Sequence, residues 1–192
     1  MSIDKPALDV AALWDEIERW YAHNAPQALA ELGAPATRED LSALERATGI
    51  VLPPDVGASL SRHNGSGGIQ GLDYLDTVWA AQVWERMQAR QARGDFADRI
   101  PADATGKRFA AVWWHRKWLP VAEHRAGTLV CVDTVPGPEG RSGQVLQLEL
   151  DDEGPAATPW QSFAQWLEGY WRDLKAGKYQ VDPDGNLDRI AE

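Results

Sequence analysis

The chain has 192 residues, 44% of them hydrophobic and 25% charged, which predicts a globular domain of ordinary size and excludes a disordered chain. Its single cysteine, Cys131, excludes an internal disulfide. Because the first 20 residues lack a signal-peptide pattern and no apolar run approaches the ~18 residues that span a bilayer, we expect a cytoplasmic protein without membrane contact. The net charge of −10 disfavours direct nucleic-acid binding, since phosphates repel an acidic surface.

The acidic charge is concentrated at the two ends of the chain. Residues 1–60 carry 4 positive and 10 negative side chains (net −6), residues 61–130 carry 10 and 7 (net +3), and residues 131–192 carry 5 and 12 (net −7). Such ends attract basic partners, although a charged surface also serves solubility alone.

Helices are predicted over most of the first 63 residues. The predicted helices are at 9–23, 25–32, 37–49 and 53–63. They are indicated by apolar residues at helical spacing and by residues typical of helix starts and ends. Asp9 and Thr37 can accept hydrogen bonds at helix starts, and Gly49 is a suitable helix end.

The sequence His63-Asn64-Gly65 has two interpretations. A histidine beside an asparagine can be catalytic, but Asn-Gly after a helix is also a typical stop, because either residue adopts the left-handed C-cap conformation. No nucleophile lies within sequence reach of His63. We therefore predict a structural His63.

The middle of the chain predicts short strands around one helix. "SGGIQG" is typical of a flexible connection and "IQGLDYL" of a short strand. "RFAAVWWHRKWLPVAEH" (108–124) predicts two strands separated by a break. A helix should begin at about Thr77, and the residues expected to face inward from it are Val78, Ala81, Met87 and either Val83 or Trp84.

The last third predicts two more strands, a linker and a helix. "AGTLVCVDTV" (126–135) and "QVLQLEL" (144–150) are typical of strands, and "DDEGPAATP" (151–159) of a charged linker. The final helix, within 160–177, should bury Phe163, Trp166, Leu167 and Tyr170. The order predicts an α+β domain whose central, mainly antiparallel sheet, from about 69 to 150, is flanked by N-terminal helices and a C-terminal helix. We expect one domain over 1–178 and a polar tail over 179–192.

No catalytic, cofactor or metal motif is complete. "GSGGIQG" has Gln70 where G-x-G-x-x-G needs its third glycine, and Gln144 replaces the last glycine of G-x-S-x-G around Ser142. The four histidines lack H-x-x-x-H spacing, and one cysteine cannot build a usual zinc site. We therefore predict no catalytic residue, no metal, no cofactor and no enzyme activity.

Several segments, taken in order, resemble the SUKH superfamily, in particular the branch that includes the fungal cell-wall-assembly regulator of the Smi/Knr type and many bacterial relatives. These segments are "LERATGIVLP" (Leu44–Pro53), "HNG" (His63–Gly65), "WLPV" (Trp118–Val121), "CVD" (Cys131–Asp133), "GQV" (Gly143–Val145) and "SFAQWL" (Ser162–Leu167). The resemblance covers roughly residues 10–175. It implies an α+β fold without catalytic activity, and it implies that His63 to Gly65 are fold residues.

Bacterial members of the superfamily are mostly regarded as immunity proteins, which bind and neutralise a cognate toxin. The resemblance thus implies an immunity protein whose partner is a toxin domain. An inhibitor of net charge −10 suits a basic, nuclease-like toxin, because opposite charge steers the two proteins together and the inhibitor occludes the toxin's site.

Two acidic surfaces and one aromatic cluster are candidates for partner binding. The acidic candidates are Asp151, Asp152 and Glu153 after the last predicted strand, and Asp15, Glu16 and Glu18 on the polar side of the first helix. The aromatic candidates are Trp113, Trp114, His115 and Trp118. Because neighbouring residues on a strand point to opposite faces, Trp113 and Trp114 cannot both be buried unless both faces of the sheet are covered, so one of them is a candidate exposed anchor for a partner.

Two other functions stay open. The first is an intracellular regulator or scaffold that binds a housekeeping protein. The second is an uncharacterised enzyme or small-ligand binder that uses a cleft near His115 and Asp133. The oligomeric state is not predicted.

Overall fold

The structure, a computed structural model, describes residues 9–124, 127–183 and 185–190. Part of the N-terminal segment that shows no signal-peptide pattern, and parts of the predicted tail, lie outside the described residues. The helices are α1 (Val10–Asn24), α2 (Pro26–Ala30), α3 (Arg38–Thr48), α4 (Pro54–Leu60), α5 (Thr77–Ala92) and α6 (Phe163–Lys175). The strands are β1 (Ser66–Ile69), β2 (Leu72–Tyr74), β3 (Trp118–Glu123), β4 (Thr128–Asp133), β5 (Gln144–Glu149), β6 (Gly154–Ala157), β7 (Tyr179–Val181) and β8 (Leu187–Arg189).

One six-stranded antiparallel sheet forms the centre of the fold. Its strands lie in chain order from β1 to β6, and every neighbouring pair is antiparallel. Nearly every residue of β3 and β4 is buried, so both faces of the sheet are covered. This architecture confirms the predicted α+β fold with flanking helices. No described helix is long and apolar enough to cross a bilayer.

The helix boundaries follow from capping side chains. Asp9 accepts hydrogen bonds from the backbone N–H groups of Ala11 and Ala12 at the start of α1. Thr37 and Asp40 form a reciprocal capping box at the start of α3. Gly49 ends α3 in the left-handed conformation, at φ 64°. The predicted starts and this predicted end are confirmed.

Large aromatic side chains fill the core. Trp14, Trp114, Trp118 and Trp166 are almost completely buried, and α6 buries all four of its predicted inward residues. The Ser59 hydroxyl accepts hydrogen bonds from the indole N–H of Trp14 and the hydroxyl of Tyr74, both over 2.9 Å. These bonds connect α1, α4 and β2 inside the core.

The sheet is wider than predicted, because both edge strands lie in segments with weak strand patterns. The supposed flexible "SGGIQG" contains β1, which turns back into β2 through Gln70 and Gly71, both at positive φ. The supposed linker after β5 contains β6, which pairs with β5 from Leu146 to Glu149. Both loop predictions were therefore wrong, and the sheet extends from residue 66 to 157.

Two further predictions are corrected around α5 and β3. On α5, Val78 is 63% exposed, whereas Ala80, Val83 and Met87 are buried. The first strand predicted within 108–124 is absent from this described range: residues 108–117 form turns and irregular backbone, and only β3 follows.

A small hairpin, β7–β8, follows α6. The Tyr179 ring packs edge-on against Tyr170, with 5.3 Å between the ring centroids. Asp173 on α6 forms ion pairs with Lys178, over 2.8 Å, and with Arg189, over 3.5 Å. The division of the chain into a domain and a tail stays a prediction.

Candidate functional site

The tryptophans of the predicted aromatic cluster lie in the core. Trp113 is 5% exposed, Trp114 1% and Trp118 0%, and the rings of Trp114 and Trp118 meet edge to face at 6.1 Å. The expectation of one exposed anchor assumed a strand through Trp113 and Trp114. Because the backbone there is irregular, both side chains turn inward, and the geometric basis for a tryptophan anchor is lost.

His115 and Asp133 lie beside this cluster: the His115 ring centroid is 6.0 Å from that of Trp118, and Asp133 is the cross-strand neighbour of Trp118. Asp133 is fully buried, and its carboxylate accepts hydrogen bonds from the Val135 N–H and the Gln144 amide, each over 3.0 Å. Burial raises the pKa of Asp133 and lowers the pKa of His115. Asp133 thus organises the turn that follows β4. Among the described residues, no group of His, Cys, Asp or Glu side chains could hold a metal ion.

The acidic residues of the first helix are paired with basic side chains. The guanidinium of Arg62 donates to both carboxylate oxygens of Glu18, over 2.6 and 2.8 Å, and to Asp15 over 2.8 Å. Glu16 pairs with Arg19 over 2.7 Å. The hydrogen bond from Arg62, outweighing the opposing effect of burial, lowers the pKa of Glu18. Asp15 and Glu18 thus connect α1 to the end of α4, whereas Glu16 is paired within α1.

His63-Asn64-Gly65 joins three elements. The imidazole of His63 lies 2.8 Å from Glu18 through Nε2 and 3.2 Å from the Gly33 carbonyl through Nδ1. The Asn64 side-chain oxygen accepts from the N–H of Thr77, at the start of α5. Helix α4 ends at Leu60, so neither Asn64 nor Gly65 is its C-cap, and that detail of the prediction was wrong. The contacts themselves are structural, as predicted for His63.

The acidic turn, defined as Asp151, Asp152 and Glu153, connects β5 to β6. All three side chains are exposed, and none forms an ion pair with another described residue. This turn is the candidate surface that keeps free charge. Binding of a partner here stays a prediction.

A large groove, which the sequence reasoning missed, lies at one end of the sheet. It encloses about 740 Å³, within the range of about 300–1,000 Å³ that is usual for ligand sites. Its walls are the α3–α4 connection, the β4–β5 connection and the first turn of α6. The groove is lined by both apolar and polar or charged side chains. Among them are the apolar Val51, Pro53 and Val135 and the polar or charged Lys117, Arg141 and Gln165.

The walls of the groove are fixed by hydrogen bonds between segments that are distant in the chain. The ammonium of Lys117 donates to the Gly49 carbonyl, and the hydroxyl of Thr134 donates to the Lys117 carbonyl over 2.8 Å. The Asp55 carboxylate accepts from the Ala164 N–H over 3.0 Å, which ties α4 to α6. The groove is therefore preformed.

One sequence feature, the short apolar run "GIVLPP", could have indicated the groove. In this run Ile50 and Leu52 turn inward, whereas Val51 between them is 84% exposed, the highest value among the large apolar side chains of the described residues. Val135 is a second exposed apolar side chain of the groove. It lies in the β4–β5 connection, just beyond the end of β4, and is 51% exposed. The pattern alone could not show that the two segments meet.

Comparison with known proteins gives one family and several relatives. The profile of the SMI1 / KNR4 family (SUKH-1) matches residues 35–169, a range that contains every residue lining the groove. The "Cell wall biosynthesis/cell cycle regulator smi1" of Schizosaccharomyces pombe is 27% identical over 94% of this chain and 39% of its own length. A "Glucan synthesis regulatory protein" of Neurospora crassa is 27% identical over 95% and 42%. The "Cell wall assembly regulator SMI1" of Saccharomyces cerevisiae is 25% identical over 90% and 42%. The chain thus spans about two fifths of the length of these relatives.

Proposed function

The chain belongs to the SMI1/KNR4 family (SUKH-1), and we propose that it is a regulatory module that acts by binding another protein in the groove. The names of the three relatives describe regulators of cell wall or glucan formation. They support action by binding more than by catalysis. We place this action in the cytosol, where a free buried thiol such as Cys131 is common.

The observation that carries the proposal is the exposed apolar surface of the groove. Val51 and Val135 face solvent from segments that hydrogen bonds hold in place, so their exposure is part of the fold. Exposed apolar surface rimmed by polar groups is characteristic of sites that a partner covers. Burial of such side chains contributes about 25 cal/mol per Å².

The immunity interpretation receives less support than the regulatory one. The named relatives are fungal regulators, and none of their names refers to a toxin. A basic toxin would be drawn to the acidic turn, whereas Lys117 and Arg141 bring positive charge to the groove. We therefore propose the regulator first and treat a toxin partner as an outcome of the test.

The test combines capture with a matched pair of variants. The purified chain captures proteins from cells that naturally express it, each captured protein is purified, and its binding is measured by titration calorimetry. Val51→Asp should weaken binding by about tenfold or more, because it replaces an apolar contact with a carboxylate. Ile100→Asp is the control, since Ile100 is 78% exposed and does not line the groove.

The outcomes separate the site from the function. A purified partner that binds both variants equally would remove the groove from the proposal and leave protein binding in place. If no purified protein binds the chain, regulation by protein binding is wrong. A captured toxin domain would restore the immunity interpretation.

A further inference from the structure

We infer that the groove takes an acidic segment of the partner, with apolar side chains between its carboxylates. The inference rests on the proposed function and adds the chemistry of the partner. It follows from the charges that line the groove, from the first turn of α6, whose N–H groups already have hydrogen-bond acceptors, and from the two exposed valines.

The charged side chains that line the groove sum to +1 on a chain whose net charge is −10. They are Lys117, Arg141 and Asp55. Neither Lys117 nor Arg141 forms an ion pair with any described residue. Asp55, in contrast, is occupied, because its oxygens accept the N–H groups of Val56 and Ala164 over 3.0 Å each. Lys117 and Arg141 are thus the charged side chains of the groove that are available to bind a ligand.

The start of α6 lies in the groove wall, but N–H groups of its first turn already donate hydrogen bonds within the protein. Ser162 caps the helix by accepting from the Gln165 N–H over 3.2 Å, and Asp55 accepts from the Ala164 N–H. The Gln165 side-chain oxygen accepts from the Gln161 N–H over 2.9 Å. An anion in the groove would therefore be held by Lys117 and Arg141, whose hydrogen-bond donors still have capacity, and not by the helix end.

The apolar side chains decide what lies between the carboxylates. Val51, 84% exposed, and Val135, 51% exposed, belong to opposite walls, with Pro53 beside Val51. A small inorganic anion would leave both valines in water, whereas a peptide segment covers them while its carboxylates reach the cations. Charge and apolar surface together favour an acidic, apolar peptide over a free anion.

The experiment selects peptides from a random library, so it does not require an identified partner. Peptides of about twelve residues, displayed on phage, are selected on the immobilised wild-type chain, and the enriched sequences are synthesised. We expect enrichment in Asp and Glu together with Leu, Ile, Val or Phe. Arg141→Glu should weaken binding of these peptides by about tenfold, because it removes an ion pair and adds repulsion.

The matched control is Arg38→Glu. Both substitutions change the net charge from −10 to −12. Arg38 lies at the start of α3, and the groove begins just after the other end of this helix, whose eleven residues span about 16 Å. Arg38→Glu should bind the peptides like the wild type. Arg141 is exposed, so Arg141→Glu should keep the melting temperature, and thermal unfolding checks this.

Three results of the selection would overturn the inference, and so would one result on the oligomeric state. These are enrichment of basic or uncharged peptides, acidic peptides that bind Arg141→Glu as well as the wild type, and no enrichment at all. A dimer in light scattering that Arg141→Glu dissociates would also overturn it, because the groove would then hold a second copy, whose own acidic turn has the required chemistry. In each case, a captured partner whose binding is weakened by Val51→Asp would leave the proposed function standing.

Discussion

Glu18 is the centre of the ion-pair network that connects α1 to the segment after α4. It accepts two hydrogen bonds from Arg62 and lies 2.8 Å from His63. Glu18→Gln should destabilise the protein at pH 7 by about 1 kcal/mol, a value kept small because solvent screens the pair. Urea unfolding measures it, with Glu16→Gln as the control, because the one ion pair that Glu16 forms with a described residue is with the neighbouring Arg19.

The effect of Glu18→Gln should depend on pH in a defined direction. The pKa of Glu18 is lowered in the folded protein, so ionised Glu18 contributes stability above its ordinary value of 4.5. This stability is lost as the pH falls through the lowered pKa, because the proton then binds the folded and unfolded chains alike. The wild type and Glu18→Gln should converge in stability below that pH. A difference that persists below the folded-state pKa of Glu18 would show that the ion pair is not its source.

The buried hydroxyls of Tyr21 and Tyr170 give a second prediction at the scale of single residues. They lie 2.6 Å apart between α1 and α6, and burial raises the pKa of each. Tyr21→Phe and Tyr170→Phe should each cost about 1–3 kcal/mol, since the remaining hydroxyl loses its partner. The double variant should cost less than the sum, because no orphaned hydroxyl remains. Strict additivity in chemical unfolding would contradict this hydrogen bond.

At the scale of elements, the start of β6 depends on a glycine that makes room for Trp113. Gly154 has φ +75°, and a Cβ there would lie within 2.7–2.9 Å of the Trp113 ring. Gly154→Ala should destabilise the protein by about 2–4 kcal/mol through backbone strain and overpacking. Gly57→Ala is the control: Gly57 lies in α4 with no atom within 4 Å of the new methyl, so it should stabilise by about 0.5–1 kcal/mol. Equal melting temperatures for the two variants would contradict this account.

The same contact shows why some elements were predictable and others were not. Helices α1, α3 and α6 carry their caps and apolar faces within one segment, so local spacing was sufficient. Burial of Trp113 depends on Gly154, 41 residues later, and no local pattern contains that pairing. Strands β1 and β6 likewise form because a neighbouring strand accepts their hydrogen bonds, although their own glycine- or proline-containing sequences are poor strand formers.

The candidate surfaces divide in the same way. The acidic turn is one continuous charged segment, so its charge and its exposure could be predicted, although its place between two strands could not. The groove combines residues 50–55, 117, 134–135, 141–143, 161–162 and 164–165, which only the folded sheet and α6 bring together. The first-helix carboxylates were visible in the sequence, but Arg62 as their partner, 44 residues from Glu18, was not.

At the scale of the whole molecule, two surfaces of opposite charge make opposite predictions for association kinetics. A basic partner would be steered by the net charge of −10 to the acidic turn, so its association would slow as salt rises past about 0.1 M, where the screening length is about 10 Å. An acidic segment that binds in the groove is repelled by the molecule as a whole and attracted only at close range by Lys117 and Arg141. We therefore expect the association rate of the captured partner's acidic segment to stay level or rise with salt.

Charge reversal of the acidic turn separates the two cases. Substituting lysine for Asp151, Asp152 and Glu153 changes the net charge by +6, from −10 to −4. This triple variant should associate with an acidic segment a few-fold faster than the wild type, because long-range repulsion weakens, while its dissociation rate stays the same. Arg141→Glu should instead associate more slowly and dissociate faster, because it alters the groove itself. Surface-binding kinetics at two salt concentrations measure both rates. Slower association of the triple variant, together with a rate that falls as salt rises, would assign the partner to the acidic turn and favour a basic toxin over the regulatory partner proposed for the groove.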